Sequence, residues 1–332
     1  MKKLLTLILI LYNIICIFFV SCNLFKPETV SDNIIRQNYQ PFLEGSKAVR
    51  LQEESILKLQ DNLPIIDGAT ALYPLYSAFV QAVYPQDEYS YNRRYIRNDN
   101  DERISVNPIV RCTTTTEAYR SLINGYVDII FCAAPSNEQI LMAAERGVRF
   151  NLTPIGKEAF VFFVNNRNPV SNLSTEQIKG IYTGRIVNWN EVGGRNMDIR
   201  AYQRAKNSGS QTMLESIMVD EVLMEPLTEN ELTFMLDIIN QTADYRNYNN
   251  AIGYSFLFYT TQMVRNNDIK LLSINGVYPS IETIQNGAYP YTDNFYAITT
   301  NTTNPNVNKF IEWILSEQGQ YLVRETGYVP VK

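Results

Sequence analysis

Beyond residue 62 the chain alternates short apolar runs with longer stretches whose apolar residues recur at helical spacing. PIIDGATALYPLYSAFVQAVYP reads as a short strand, a glycine turn and an amphipathic helix. SVNPIVRCTTTTEAYRSLINGYVDIIFCAAPS reads as strand, helix and strand, and Thr114 and Glu117 have capping-box spacing at the helix start. SNEQILMAAERG predicts a further helix, and RFNLTPIGKEAFVFFVNN a long apolar strand. LSTEQIKGIYTGRIVNW opens with another capping signal and continues as a helix. DNFYAITTN predicts a strand, and NPNVNKFIEWILSEQGQYLVRETG one long helix stopped by its last glycine. Alternation of this kind predicts an α/β fold with mainly parallel sheets flanked by helices.

In such sheets ligands sit beyond the carboxyl ends of strands, where helices begin. Three helix starts share one chemistry: GATAL, TTTTEA and RAKNSGSQT. The first turn of a helix exposes N–H groups without intrahelical partners, and the peptide dipoles add partial positive charge there. Glycine lets a ligand approach the backbone, hydroxyls add donors, and Arg204 adds a full charge with forked N–H groups. An oxyanion needs this combination. A capped surface helix with an incidental arginine is the plain alternative for any one of the three.

The first 22 residues, MKKLLTLILILYNIICIFFVSC, break from this pattern. Two lysines precede an apolar run from Leu4 to Val20, and Ser21 and Cys22 follow. The run is slightly short for a membrane-spanning anchor and has the shape of a secretory signal. It resembles a bacterial lipoprotein signal, in which Cys22 would be acylated and become the mature N-terminus; Phe19 stands where that pattern prefers Leu. The expectation is a signal over residues 1–21 and an exported chain tethered by lipid. Residues 22–61, polar and without period, read as a tether that gains structure near ESILKLQDNLPIID.

Composition removes several classes of function. Histidine is absent, which excludes Ser-His-Asp and Cys-His catalysis and the usual zinc sites. The net charge of −5 becomes −7 once Lys2 and Lys3 leave with the signal, so no basic excess marks a nucleic-acid surface. No paired acids or metal cluster suggest a phosphoryl- or sugar-processing enzyme, and no cofactor is expected. Cys112 and Cys132 both fall in apolar strand-like runs, where export permits a disulfide and burial equally permits free thiols.

Taken in order, DGATALYPLY, VDIIFCAAPS, LSTEQIKGIYTGRIVNWNEVGG, RAKNSGSQT, AIGYSF and FIEWILSEQGQYLVRETGYVPV resemble the periplasmic phosphate-binding proteins of ABC importers. The resemblance covers roughly residues 62–332. It implies the two-lobed type II binding-protein fold with a hinge between lobes. Residues 62–156 would open lobe 1, 157–290 build lobe 2, and 291–332 return to lobe 1. The strand near 155–164 and DNFYAITTN would be the crossings.

By position, the resemblance places Thr70 and the backbone of Ala71 in the first-lobe anion loop and Thr115 at the second helix start. Arg204, Ser208, Gly209 and Ser210 fall in the second-lobe loop, with Ser210 where the family has threonine. Two departures stand out. Ala133 occupies the family's proton-accepting aspartate position, and Lys206 replaces an aspartate that braces the arginine. Oxyanion binding is thus implied; without another acceptor hydrogen phosphate loses its advantage over sulfate, and if phosphate is still preferred Asp67 and Glu117 are the candidate acceptors nearest the loops.

The resemblance further implies a monomeric, non-enzymatic receptor that delivers phosphate or a related oxyanion to a membrane permease. A surface lipoprotein using the same fold for adhesion or sensing is the alternative. The tyrosine-rich run at 84–95 and Arg93, Arg94 and Arg97 read most simply as a solvated loop.

Overall fold

The computed structural model describes residues 36–86, 108–227, 232, 234–244 and 249–331, and the backbone of 94–97 and 103–106. The expected signal, Cys22 and Arg93 lie outside the described residues. Strands are numbered in chain order: β1 (Ile66–Gly68), β2 (Arg94–Arg97), β3 (Arg103–Val106), β4 (Ile129–Cys132), β5 (Asn151–Asn165), β6 (Asn172–Leu173), β7 (Arg200–Ala201), β8 (Ala251–Phe256), β9 (Ile269–Leu271), β10 (Ser273–Ile274) and β11 (Thr292–Thr299). The helices that matter for the site are α1 (Tyr73–Val83), α2 (Thr115–Ile123), α3 (Asn137–Glu145), α4 (Thr175–Tyr182) and α5 (Gly209–Ile217). Those that complete the fold are α6 (Met235–Ala243), α7 (Ile281–Gln285), α8 (Val307–Ile314) and α9 (Glu317–Thr326).

One sheet runs through the molecule in the order β1-β4-β11-β5-β8-β7, with β9 also paired to β5. Its flanks are parallel, β1 with β4 and β7 with β8, as strand–helix alternation predicts. Its centre is antiparallel: β11 pairs with both β4 and β5, and β5 with both β8 and β9. The physical reason is the crossing itself. β5 leaves the first lobe and β11 returns to it, so the two run in opposite directions side by side.

β5 divides its partners along its length. Asn151–Ala159 face β11, whereas Phe160–Val164 face β8 in the second lobe. Burial follows the same division. Asn151 to Pro154 are exposed or partly so, Ile155 and Gly156 are buried, and after exposed Lys157 the residues from Glu158 to Asn165 are buried without interruption. A strand covered on both faces reads as a continuous apolar run, which is what AFVFFV is.

α1 is buried at every position but Gln81, and such a helix needs cover on all sides. The sheet covers one side; α9 and residues 36–61 cover the other. This segment, expected as a tether, is a strap docked on the body. Phe42 N–H donates to Gln81 Oε1, Leu59 N–H to the Val83 carbonyl, and Gln318 reaches Glu54 and Ile56. Tyr39 and Leu59 join the main core.

The long C-terminal helix expected from the sequence is two. α8 ends before Leu315 and α9 begins after Ser316, whose hydroxyl donates back to the Trp313 carbonyl at 2.6 Å. Gly319 permits the sharp join, because a Cβ there would lie 2.2 Å from the Ile314 carbonyl oxygen. The glycine stop stands as expected, with Gly327 left-handed at φ 108°. Cys112 and Cys132 are both free thiols, and burial pushes the Cys112 thiol up to about 11.

Candidate functional site

β1 ends in Gly68, and a short 3-10 turn at Thr70–Leu72 leads into α1. Gly68 is required by close packing: a Cβ would meet the Phe131 carbonyl oxygen at 2.6 Å and the Tyr76 ring at 2.8 Å. Asp67 holds this loop to the next one. Its carboxylate accepts from Gly68 N–H (2.8 Å), Thr113 N–H (2.9 Å) and Thr113 Oγ1 (2.7 Å). Burial raises its pKa above the usual carboxylate value, against the opposing effect of those bonds. The effect is to place Thr70 and Ala71 beside the start of α2, where Thr114 caps by accepting from Glu117 N–H. Thr70, Ala71 and Thr115 are all buried.

The second-lobe loop is built from β7 to α5. Arg204 N–H donates to Gln211 Oε1 (3.0 Å) and to the Tyr254 hydroxyl (2.9 Å), and Tyr254 in turn donates to Gln211 Oε1. Gln211 Nε2 reaches Gln203 Oε1, which ties the loop's entry to the helix it feeds. Ser208 caps α5 by accepting from Gln211 N–H at 3.4 Å. Arg204 Nη1 donates to Ser210 Oγ at 3.0 Å. Both hydroxyls therefore act as acceptors towards the protein, and each keeps its own proton to donate elsewhere. Arg204, Ser208, Gly209 and Ser210 are buried, although a guanidinium is seldom hidden without a reason.

The two loops meet. A Cβ at Gly209 would lie 3.0 Å from Thr115 Oγ1, so the start of α5 abuts the start of α2 across the cleft. Ala69, Ala71, Leu72, Thr115, Ala133 and Gly209 line one cavity together with Glu158, Asp293, Asn294 and four apolar side chains including Phe160 and Phe295. Its volume is about 30 Å³, room for a small ligand. Thr70, Arg204, Ser208 and Ser210 are not among the residues that line it, although they belong to the same two loops.

Around the departures, Ala133 does line the cavity and offers no acceptor, while Lys206 is exposed to solvent. The carboxylates expected to take over from Ala133 do not face it. Asp67 is committed to Gly68 and Thr113, and Glu117 is exposed and paired with Arg120.

Three participants escape the sequence pattern. Gln211 and Tyr254 brace Arg204 from 7 and 50 positions away; only the place of Gln211 in the first turn of α5 hints at its role. Asn207, left-handed at φ 62°, bridges the lobes. Its side chain accepts from Ser136 Oγ (2.7 Å) and donates to Glu138 Oε2 (2.8 Å). Its carbonyl accepts from Thr116 Oγ1 and Gln139 Nε2. Left-handed backbone is a common place for asparagine, but no local rule assigns it partners in another lobe.

A mixed sheet whose two long central strands run antiparallel, with opposed helix starts beside one cavity, is the architecture of the two-lobed binding proteins. The chain belongs to the PBP superfamily, whose domain model matches residues 65–318. Among curated relatives it is 25% identical to the phosphate-binding protein PstS of Borreliella burgdorferi over 288 residues, 83% of this chain and 93% of that one. It is 29% identical to PstS of Bacillus subtilis over a shorter stretch, 51% of this chain and 53% of that protein.

The fold is similar to that of a substrate-binding protein from Clostridium perfringens solved with bound phosphate (TM-score 0.59, 21% identity, 80% of this chain and 98% of that one). It is also similar to an ABC-type phosphate transport receptor from Vibrio cholerae (TM-score 0.56, 19% identity, the same coverages).

Proposed function

We propose that this chain is an exported receptor that captures phosphate or a closely related oxyanion between its lobes for an ABC importer. The observation that carries the reading is the approach of Gly209 to Thr115 Oγ1, which brings two helix starts and their hydroxyls to one point. An anion there meets orphan N–H groups from both helices and the Thr115 hydroxyl, with Thr70, Ser208 and Ser210 in the adjoining turns of the same two loops. Arg204, held in place by Ser210, Gln211 and Tyr254, supplies the balancing charge. The names of the curated relatives support phosphate as the anion and import as the purpose.

Closure follows from the same arrangement. Only the closed form offers donors from both lobes, so the anion binds it better than the open form and shifts the population by that difference. β5 and β11 are the strands that bend. The closed receptor then presents its cargo to a membrane permease, and acylated Cys22 would keep it near that partner. Calorimetry on residues 23–332 with phosphate, sulfate and small organic phosphates tests the reading. Saturable binding of phosphate is expected; failure of every oxyanion to bind would overturn it.

A further inference from the structure

Glu158 is a carboxyl in an unusual place. It sits on β5 at the point where the strand passes from one lobe to the other, is 8% exposed, and lines the cavity shared by Ala71, Thr115, Ala133 and Gly209. Its Oε1 accepts from Phe258 N–H at 2.6 Å, and among the described residues Oε2 has no hydrogen-bond partner. The groups facing it offer no positive charge. Asp293, its register partner on β11, lines the same cavity, and the Tyr328 phenol lies within its electrostatic reach from the C-terminal end. Lys157, next along β5, is exposed on the opposite face of the strand. No lysine or arginine is among the described residues lining the cavity.

Arg204 is not among the lining residues, so directly beside an ionised Glu158 a second anion is repelled unless a proton lies between the two. We infer that Glu158 reads the protonation of the bound anion: one proton is shared between its carboxyl and a ligand oxygen. This rests on the anion-receptor reading above. When Glu158 holds the proton, it donates to a fully ionised anion such as sulfate. When Glu158 is ionised, it accepts from an anion bearing its own O–H, such as hydrogen phosphate, and repels sulfate. In either case the complex contains one O–H···O bond and one proton. Burial supports this assignment, since it pushes Glu158 up to about 8 against the bond from Phe258. Asp67 and Glu117 are ruled out by their existing partners, and Asp293 is less buried and accepts from Asn294 N–H.

The test is isothermal titration of residues 23–332 with sulfate and with phosphate, across a pH series that spans about 8. In the wild type, sulfate affinity should fall about tenfold per pH unit above the ionisation, the mark of one proton taken up, while phosphate affinity stays level there. Glu158→Gln, whose amide can donate or accept at any pH, should bind sulfate with no such slope; Asp293→Asn should keep it. A level sulfate profile in the wild type overturns the inference without needing any variant to fold. A slope that survives in Glu158→Gln assigns the proton elsewhere and overturns it too. If sulfate binding never appears and phosphate binding is strong at every pH, Glu158 does not donate, and the inference is wrong while the receptor reading stands. If neither anion binds the wild type, both fail together.

Discussion

Glu158 and Arg204 are the two buried ionisable side chains on which the site turns, and they act in opposite senses. For Glu158 the folded state raises the acid above its ordinary value of 4.5, so the native chain holds a proton that the unfolded chain releases. Stability contributed by this group is therefore present at low pH and declines as pH rises from 4.5 towards about 8. The slope from one such proton is about 1.4 kcal/mol per pH unit. Asp67 and Asp293, both raised by burial, slope the same way but remain in a Glu158→Gln variant. Urea unfolding of the ligand-free protein should therefore show a shallower loss of stability with pH in Glu158→Gln than in the wild type. Equal slopes would mean that the carboxyl is not desolvated as the structure shows. For Arg204, charge-assisted bonds contribute about 1.5–3 kcal/mol each. Arg204→Ala should weaken phosphate binding by at least ~10-fold, and wild-type affinity would reduce the loop to an ordinary helix start.

At the scale of elements, the stretch AKNSGS between β7 and α5 does two jobs at once. Ser208 and Gly209 start the helix, while Asn207 reaches over to Ser136, Glu138 and Gln139 at the start of α3 and to Thr116 in α2. Opening of the cleft between α5 and the starts of α2 and α3 would break these bonds, so they favour the closed form whether or not an anion is present. Asn207→Gly keeps the left-handed backbone and the carbonyl bonds but removes the two side-chain bonds. At about 0.5–1.5 kcal/mol net for each, the apparent phosphate affinity should fall by about 5-fold at the low end and about 150-fold at the high end. The ligand-free protein should also be more open by small-angle scattering. Unchanged affinity together with unchanged dimensions would show that Asn207 is a turn residue only. Much at this scale was legible in advance. The cap at Thr114 and the capping signal in LSTEQ, which the structure places at Ser174, involve partners three residues away, so sequence spacing alone reveals them. The break at Leu315–Ser316 was not, because an amphipathic run looks continuous until the core beneath decides where it must turn.

For the molecule as a whole, two hinge strands couple a cleft to the lobes on either side, and the N-terminal strap adds a tie to the first lobe. Cys22 lies beyond the strap; the lipid expected there would let the receptor work beside a membrane without spanning it. Cys22→Ala should abolish lipid labelling and release the protein from the membrane fraction, whereas unchanged labelling and fractionation would place the anchor elsewhere. The sequence by itself determined the strand–helix order, the helix starts rich in hydroxyls and glycine, and the absence of histidine-based chemistry. Each of these depends on residue identity or on neighbours within one helical turn. Only the tertiary structure decided that the centre of the sheet is antiparallel, since pairing depends on which strands cross between lobes. It also decided that Asp67 is bound to Thr113, 46 positions away, and unavailable to an anion. Asn207 faces Ser136 across 71 positions, and Glu158 meets Phe258 across 100. A carboxyl in a polar stretch of sequence is ordinarily a solvated one; the packing of β5 against β11 and β8 removes Glu158 from water, and that desolvation makes its proton matter.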